Sequence, residues 1–413
     1  MIAFDQKAAT VRLRNMRYFT TLEDIDLVWT VERNGKVVKQ GRIAGLNIRP
    51  QQNRSYSLPV VLDELDGVCT LNLYFKSNVI TEWAEAGYEV GFEQVVLESA
   101  SSASKPDACA LNTKFDVCDG DKLVTVRDGE RIYTVDKIHG LICSIKDNGK
   151  ELLTTPIKPN IWRAPTDNDR NIKRDWYRVA YDYMMLKCYS CELASADGKE
   201  ASVKASMNMG SPSMHAVLNM EVEYLFKKGE GVELKFDVKV TDGIPVLPRF
   251  GVEFRMPSDC EYVKYFGKGP YESYVDKCKA SRLSTFATTA TDNFEPYVRP
   301  QENMAHTDTR WFEVANNAGF GLMATNTAES GSFSFNCSHF TAEMLTKTAH
   351  DFELEPLADT VVYLDYRHAG IGSNSCGPQL AEQWRLSEKE FSFSVRLIPV
   401  QINDVDPFEK IYN

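Results

Sequence analysis

The segment IDLVWTVERNGKVVKQGRI, residues 25–43, contains two runs in which apolar and polar residues alternate. Alternation with a period of two predicts β-strands, here over residues 25–31 and 36–43. Asn34-Gly35 separates the runs, and this pair favours a tight hairpin because both residues tolerate a positive φ. The segment therefore predicts an antiparallel hairpin.

Similar short runs surround this hairpin, at residues 55–61, 69–75 and 90–97. Several short strands in fewer than about 100 residues are typical of an immunoglobulin-like sandwich, which we assign to residues 1–98. The next stretch, ESASSASKPDA, has no apolar residue larger than alanine. Because it cannot bury apolar surface, we predict a linker over residues 99–108.

Strand-like runs resume at Cys109 and continue almost to the end of the chain. Asp-Gly and Asn-Gly pairs mark the turns between them, near Gly120, Gly129, Gly149, Gly198 and Gly243. No alternation of strand and helix is visible, which argues against a (β/α)8 barrel. The predicted fold class is all-β: an immunoglobulin-like sandwich followed by a large antiparallel supersandwich over residues 109–413.

Composition narrows the class of partner. The chain has 47 basic and 58 acidic residues, a net charge of −11, which disfavours nucleic acid and anionic membranes. No run of about eighteen apolar residues occurs, and charges interrupt the amino-terminal residues where a signal peptide would be apolar. The ten cysteines are scattered and predict free thiols in a reducing, cytoplasmic setting. A preceding part of the protein could carry its own export signal.

The stretch NIWRAPTDNDR, residues 160–170, places five polar residues directly after a tryptophan and a proline. An EF-hand requires a glycine three residues after Asp169 and a glutamate at position 178, and both are absent. A structural interpretation is that Asp169 caps a helix over residues 170–186. A functional interpretation is that this ordered polar loop contributes to a binding site.

Two further stretches combine tight turns with polar and aromatic side chains. YFGKGPYESY (265–274) and YVRPQENMAHTDTR (297–310) mix rings with amides, carboxylates and guanidinium groups, a combination that suits sugars. Aromatic strand edges with solvated turns explain the same pattern equally well. DYRHAGIGSNSCGP (365–378) predicts a shaped loop that brings His368, Asn374 and Cys376 near one another. No acidic partner for His368 and no base for Cys376 can be read from the spacing.

Several of these stretches, in this order, resemble motifs of the carboxy-terminal sandwich of bacterial glycoside hydrolase family 2 β-galactosidases. They are IWRAPTDNDR, YFGKGPYESYVDKCKASRL, PYVRPQENMAHTDTRW, FSFNCSHFTAEMLTKTAH and HAGIGSNSCGP. WAEAGYEVGFEQVVL, residues 83–97, is similar to the end of the preceding immunoglobulin-like domain. The supersandwich also resembles the fold of galactose mutarotases, although their paired catalytic histidines are not found in a matching context.

In that family a (β/α)8 barrel carries the acid/base and nucleophile glutamates, the former usually after an asparagine. This chain contains no Asn-Glu pair. The resemblance implies a non-catalytic part, either a fragment or a separate small subunit. Its expected partners are a catalytic barrel of the same enzyme, a β-galactoside and further copies in a homo-oligomer. No cofactor or metal is expected in this chain, since the Mg and Na ions of the family lie mainly in the barrel.

The resemblance also implies which residues line the substrate pocket or the barrel interface. They are Arg163, Asp167, Asn168, Asp169, Asn303, Arg310, His368, Asn374 and Cys376. In some members a tryptophan stacks on the sugar where this chain has Cys376, and a thiol supplies no ring face. Two alternatives are a free-standing carbohydrate-binding module and a mutarotase-like epimerase.

Overall fold

A computed structural model describes residues 1–62, 67–97, 115–212, 215–327 and 330–401. The described residues form two compact units, one containing residues 1–97 with 283–285 and the other containing 115–282 with 286–401. The linker predicted at 99–108 lies outside the described residues. The all-β prediction is confirmed, because both units consist mainly of antiparallel strands.

The first unit contains a three-stranded sheet and a four-stranded sheet, in the orders β1-β2-β5 and β4-β3-β6-β7. The strands are β1 (Ala3–Asp5), β2 (Thr10–Arg14), β3 (Ile25–Arg33), β4 (Lys36–Ile43), β5 (Asn53–Ser57), β6 (Cys69–Ser77) and β7 (Glu89–Val96). Alternate residues such as Leu27, Trp29 and Val31 are buried in one apolar core. In β3 the period-two pattern therefore has a direct physical cause, because Leu27, Trp29 and Val31 lie on the buried face of the strand.

The hairpin predicted at Asn34-Gly35 is confirmed. Arg33 of β3 pairs with Lys36 of β4, so the loop between the strands consists of Asn34 and Gly35. Their φ angles are 52° and 74°, which is the left-handed region that asparagine and glycine tolerate best.

The second unit contains three sheets. Their orders are β12-β11-β10-β9-β8, β13-β18-β25-β24-β21 and β14-β15-β16-β17-β26-β23-β22-β19-β20. The strands up to β17 are β8 (Phe115–Asp119), β9 (Leu123–Asp128), β10 (Arg131–Asp136), β11 (Leu141–Asp147), β12 (Lys150–Glu151), β13 (Lys158–Asn160), β14 (Met185–Ala196), β15 (Glu200–Gly210), β16 (Ala216–Lys227) and β17 (Gly231–Val240). The others are β18 (Arg249–Met256), β19 (Tyr262–Gly269), β20 (Arg282–Thr289), β21 (His306–Thr309), β22 (Trp311–Ala315), β23 (Phe320–Asn326), β24 (Phe333–Ser338), β25 (Thr360–His368) and β26 (Glu390–Gln401).

Apolar side chains from these sheets form one large core. Phe236 of β17, Phe250 of β18 and Phe393 of β26 meet there, with ring centroids 6.1 to 6.5 Å apart. Strand β18 is buried at seven of its eight positions. This burial matters for the candidate site, because the first residue of β18, Arg249, is a buried charge.

The helix predicted over residues 170–186 is wrong. The segment contains a 3₁₀ turn (Asp167–Arg170), helix α1 (Lys173–Arg178), a second 3₁₀ turn (Tyr181–Tyr183) and the start of β14. Ala180 has a φ of 56°, which ends the helix. The Trp176 Nε1 donates to the Val246 carbonyl at 2.9 Å and the Tyr181 hydroxyl to the Pro245 carbonyl at 2.7 Å. These tertiary contacts therefore outweigh the local apolar periodicity.

The remaining helical segments are short: α2 (Ala342–Lys347) and 3₁₀ turns at Asp351–Glu353 and Glu382–Trp384. No helix among the described residues is long and apolar enough to cross a membrane. The nine cysteines in the described part are free thiols in this structure.

Candidate functional site

The polar loop 163–170 begins with an arginine that is entirely buried. Arg163 donates from Nη2 to the Asp169 carboxylate at 2.8 Å, and its guanidinium carbon lies 5.4 Å from the centre of the Trp176 ring. The same guanidinium donates to the carbonyls of Ala369, through Nη1, and of Gly370 at 3.4 Å. Arg163 therefore links its own loop to the loop 369–376.

Asp169 does not cap a following helix as predicted. Thr166 occupies the N-cap position of the 3₁₀ turn. The Asp169 carboxylate accepts from the Thr166 backbone N–H at 2.9 Å and from its hydroxyl at 3.2 Å. The carboxylate thus closes the turn from the third helical position and also binds Arg163, which accounts for its burial.

Three segments distant in sequence meet at this loop. Asn168 donates from Nδ2 to the Ile371 carbonyl at 2.5 Å, and Arg170 donates to the Ser375 carbonyl at 3.3 Å. From the third segment, Gln301 accepts from the Asp167 N–H at 3.2 Å, and Glu302 donates its N–H to Ala164. The loops 163–170 and 369–376 therefore lie side by side, with residues 301–302 next to the first of them.

A cluster of buried charges lies at the end of β25, where the second loop begins. The Arg249 guanidinium donates to both Asp365 oxygens, at 3.0 Å from Nε, and to Glu302 at 3.4 Å. His368 Nε2 lies 3.0 Å from the Asp365 carboxylate, and the Tyr274 hydroxyl lies 3.4 Å from Glu302. All five side chains are almost inaccessible to solvent. Such charges are tolerated inside a protein only when they are paired.

The charges in this cluster influence the protonation of Asp365 and His368. Burial would raise the pKa of Asp365, but Arg249 and His368 hold that pKa below its usual value. Burial, together with the Arg249 charge, lowers the pKa of His368. The neutral imidazole then donates from Nε2 to Asp365, and its Nδ1 has no hydrogen-bond partner among the described residues.

The structure corrects the expectation that His368 lacks a readable acidic partner. Asp365 lies three residues before it, in the otherwise apolar run VVYLDY of β25. Neither Asp365 nor Arg249 is among the site residues predicted from the sequence. A single charge within an apolar strand run was the available signal, because such a charge must find a buried partner.

Most of the predicted site residues lie around the two loops. Arg163, Asn168, Asp169 and Asn374 line a cavity of about 490 Å³. His368 lies in the charged cluster, and Asn303 follows Glu302, with its Oδ1 accepting from the Glu295 N–H at 3.0 Å. Asp167 and Cys376 are exposed. Arg310 lies between β21 and β22, where its backbone N–H donates to the Phe266 carbonyl and its carbonyl accepts from the Asn326 N–H.

No group of three or more His, Cys, Asp or Glu side chains in the described ranges has a geometry that could hold a metal ion. The hydrogen-bonding groups of the two loops are amides, backbone carbonyls, the carboxylates of Asp167 and Asp169, and the guanidinium groups of Arg163 and Arg170. Such groups suit recognition of neutral hydroxylated molecules or of a polar protein surface.

The chain is similar in sequence to bacterial β-galactosidases over most of its length. A β-galactosidase from Actinobacillus pleuropneumoniae is 34% identical over 390 residues, which is 94% of this chain and 37% of that protein. A β-galactosidase from Staphylococcus xylosus is 32% identical over 352 residues, 83% of this chain and 35% of that protein. The chain thus spans little more than a third of the length of these relatives.

Among solved structures, the chain is similar to a galactose 1-epimerase from Lactobacillus acidophilus NCFM. The match has 9% identity and a TM-score of 0.34, and covers 70% of this chain and 99% of that one. An aldose epimerase homologue from C. elegans matches with 7% identity and a TM-score of 0.35, and covers 70% and 100%. Because the identities and TM-scores are this low, these two similarities say nothing about the activity of this chain.

Two family models match the chain in sequence order. The model described as β-galactosidase, domain 4, matches residues 11–98, within the first unit. The model described as β-galactosidase small chain matches residues 127–397, which is well over half of the chain. The chain therefore belongs to the β-galactosidase small-chain family.

Proposed function

We propose that this chain is the non-catalytic, carboxy-terminal part of a glycoside hydrolase family 2 β-galactosidase, where it completes the substrate pocket. The observation that carries the proposal is the direct bonding of the loops 163–170 and 369–376. Four side-chain bonds from Arg163, Asn168 and Arg170 reach the second loop. Such a shaped polar surface forms one wall of a site that another body must close.

The buried carboxylates near these loops are unsuited to glycoside hydrolysis. A retaining glycosidase needs an acid and a nucleophile about 5 Å apart that both face the sugar. Asp365 and Glu302 are 0% and 4% exposed and are engaged by Arg249, and Asp169 is engaged by Arg163. We therefore assign the hydrolysis of terminal β-D-galactosides to a catalytic barrel of the same enzyme.

The proposed partner surface consists of Asp167, Asn168, Asn374 and Cys376, with Arg163, Asp169, His368 and Asn303 supporting it from inside. Arg310, between β21 and β22, is a further proposed member of this surface. Cys376 replaces the ring that the family resemblance would place against the sugar, so we expect weak discrimination between aglycones. Assembly into homo-oligomers is part of the proposal for the complete enzyme.

We also propose the domain boundaries that the sequence indicates: an immunoglobulin-like domain over 1–98, a linker over 99–108 and the supersandwich over 109–413. The division into two compact units supports two domains. Limited proteolysis followed by mass spectrometry tests the boundary, and first cuts within residues 267–274 would contradict it.

The functional test has two arms. The purified chain should not cleave o-nitrophenyl β-galactoside, at any rate that survives repurification. The same chain should produce cleavage after it replaces the matching region of the Actinobacillus pleuropneumoniae β-galactosidase, to which it is 34% identical. The remainder of that enzyme without the graft is the control and should be inactive. Cleavage by the purified chain alone, or an inactive but folded chimera, would overturn the proposal.

A further inference from the structure

The first half of the loop, residues 369–372, is held through its own backbone. The N–H groups of Ala369 and Gly370 donate to the Pro248 and Trp384 carbonyls at 3.0 and 2.8 Å. The N–H groups of Ile371 and Gly372 donate to the two carboxylate oxygens of Asp276, at 2.9 and 2.8 Å. A single carboxylate thus binds two successive peptide groups of the loop.

The carboxylate is itself fixed in place. Asp276 lies in a tight turn between Tyr274 and Lys277, whose backbones exchange two hydrogen bonds of 2.9 and 3.0 Å. A turn closed on both sides leaves the backbone little freedom, so the Asp276 side chain starts from a defined position. Asp276 lies within the motif YFGKGPYESYVDKCKASRL but is not among the pocket or interface residues that the family resemblance implied.

The two glycines of the loop are explained by this contact. A Cβ atom on Gly370 would lie 2.6 Å from the Asp276 carboxyl carbon and from its Oδ2. A Cβ atom on Gly372 would lie 3.2 Å from Oδ2. Side chains at these positions would push the carboxylate away, so the sequence Gly-Ile-Gly allows the close approach.

We propose that Asp276 is a positioning residue that sets the geometry of the loop 369–376 and, through it, the place of residue 376 in the substrate pocket. This inference rests on the proposed function for its effect on substrate, but its effect on the loop stands alone. Aspartate suits the task because both oxygens accept hydrogen bonds. Asparagine has the same shape, but its NH₂ group would face one of the loop N–H groups.

The first test uses the isolated full chain and needs no activity. In Asp276→Asn, the Ile371 and Gly372 amides should exchange with deuterium roughly 10- to 100-fold faster than in the wild type, measured by NMR. Asp237→Asn is the matched control, since Asp237 is exposed on β17 and bonds only to the Ser392 hydroxyl among the contacts we observe. Unchanged exchange at both loop amides in Asp276→Asn would overturn the proposal.

Gly372→Ala provides a second route should Asp276→Asn fail to fold. The added methyl group would displace the carboxylate by a few tenths of an ångström. The Ile371 amide should then exchange faster, though by a smaller factor than in Asp276→Asn. Exchange of the Ile371 amide at the wild-type rate in a folded Gly372→Ala protein would contradict the proposed positioning role of Asp276.

The second test uses the chimera with the Actinobacillus pleuropneumoniae enzyme. Asp276→Asn should raise KM for an aryl galactoside about 10-fold and change kcat by less than about 3-fold, since a displaced pocket wall weakens binding rather than chemistry. A general loss of folded protein would instead lower the apparent kcat alone. An inactive wild-type chimera would refute the proposed function and leave the exchange test to decide on Asp276. An active chimera whose KM ignores Asp276→Asn would overturn the positioning role.

Discussion

The two halves of the loop 369–376 differ in how they are held. In the first half, residues 369–372, side chains or backbone groups from four other segments bind the peptide groups. In the second half, residues 373–376, the side chains are half-buried or exposed, and Arg170 binds the Ser375 carbonyl at 3.3 Å. The first half reads Ala-Gly-Ile-Gly and has no polar side chain, whereas the second half begins Ser-Asn-Ser, so the two halves also differ in composition.

One loop thus combines a first half held by many hydrogen bonds with a second half that is more exposed. The charged cluster of Arg249, Asp365 and His368 lies at the base of the first half and fixes the point from which the second half extends. Side chains of the second half make few contacts, so a substitution there changes the pocket with little effect on folding. A cysteine at position 376 is compatible with this division.

The largest expected effect comes from breaking the charged cluster below the first half. Asp365→Asn removes a buried carboxylate and leaves Arg249 with Glu302 as its remaining acidic partner, at 3.4 Å. The asparagine has one oxygen and cannot accept from Arg249 Nε, Arg249 Nη2 and His368 Nε2 at once, so buried donors lose their acceptors. We expect a loss of about 3–5 kcal/mol in the free energy of unfolding. Urea denaturation followed by circular dichroism measures it.

Glu390→Gln is the matched control for this acid-to-amide change. Glu390 pairs with Lys239 at 3.0 Å, but both side chains are about 70% exposed. Exposed pairs contribute roughly 0–1 kcal/mol, so the control should unfold almost as the wild type does. Equal losses in the two variants would mean that burial does not distinguish the cluster from the surface.

The next effect concerns the guanidinium that joins the two loops. Arg163→Lys keeps the charge but cannot reach Asp169 and the Ala369 and Gly370 carbonyls at once. Leaving buried carbonyls without donors should lower the free energy of unfolding by about 1–3 kcal/mol. In the control Arg178→Lys, the side chain is 72% exposed and the change should be close to zero. A stable Arg163→Lys protein would show that the first half does not depend on this link.

The sequence predicted the parts of the molecule that depend on neighbouring residues. Strand β4 has the predicted bounds, and the Asn34-Gly35 turn follows from local backbone preference. The helix over 170–186 failed because the contacts of Trp176 and Tyr181 with residues 245–246 could not be read locally. The charged cluster was missed for the same reason, since Arg249 and Asp365 are 116 residues apart.

The adjacency of the loops 163–170 and 369–376 could be expected only from the family resemblance, because no local pattern links residues some 200 positions apart. The contact between Asp276 and the loop could be predicted only in part. The sequence Gly-Ile-Gly indicates that another group approaches the backbone closely, but it does not indicate which group. Residue roles in the pocket remain predictions that the chimera would test.

The stability of the folded chain should depend on pH through His368, which directly precedes the first half of the loop. The pKa of His368 is lowered in the folded chain, so below about pH 6.5 the unfolded chain binds a proton that the folded chain does not. Stability should therefore fall as the pH decreases from about 6.5 toward the folded-state pKa, by about 1.4 kcal/mol for each unit of displacement. The groups facing this imidazole are Asp365, Arg249, Glu302 and Tyr274.

The measurement compares the urea midpoint of the wild type and of His368→Gln between pH 7.5 and pH 5. The variant should lose less stability over this interval. His306 is also buried, with a pKa lowered to about 4, and contributes in the same direction. Because His306 is present in both proteins, the difference between them isolates His368. Identical pH profiles would contradict the assignment of a neutral, buried His368.

The smallest effect on stability is expected in the second half. Cys376 is exposed and free, so Cys376→Ser and Cys376→Trp should each change the free energy of unfolding by less than about 0.5 kcal/mol. The wild-type thiol should react with a water-soluble disulfide reagent without denaturant, whereas Cys337, buried within β24 with a pKa raised by burial, should not. In the chimera, however, Cys376→Trp should lower KM for aryl galactosides several-fold, because a ring can stack on the aglycone, and should leave kcat nearly constant. A Cys376→Trp protein that loses as much stability as Arg163→Lys would show that both halves of the loop are equally constrained. An unchanged KM would place residue 376 outside the pocket.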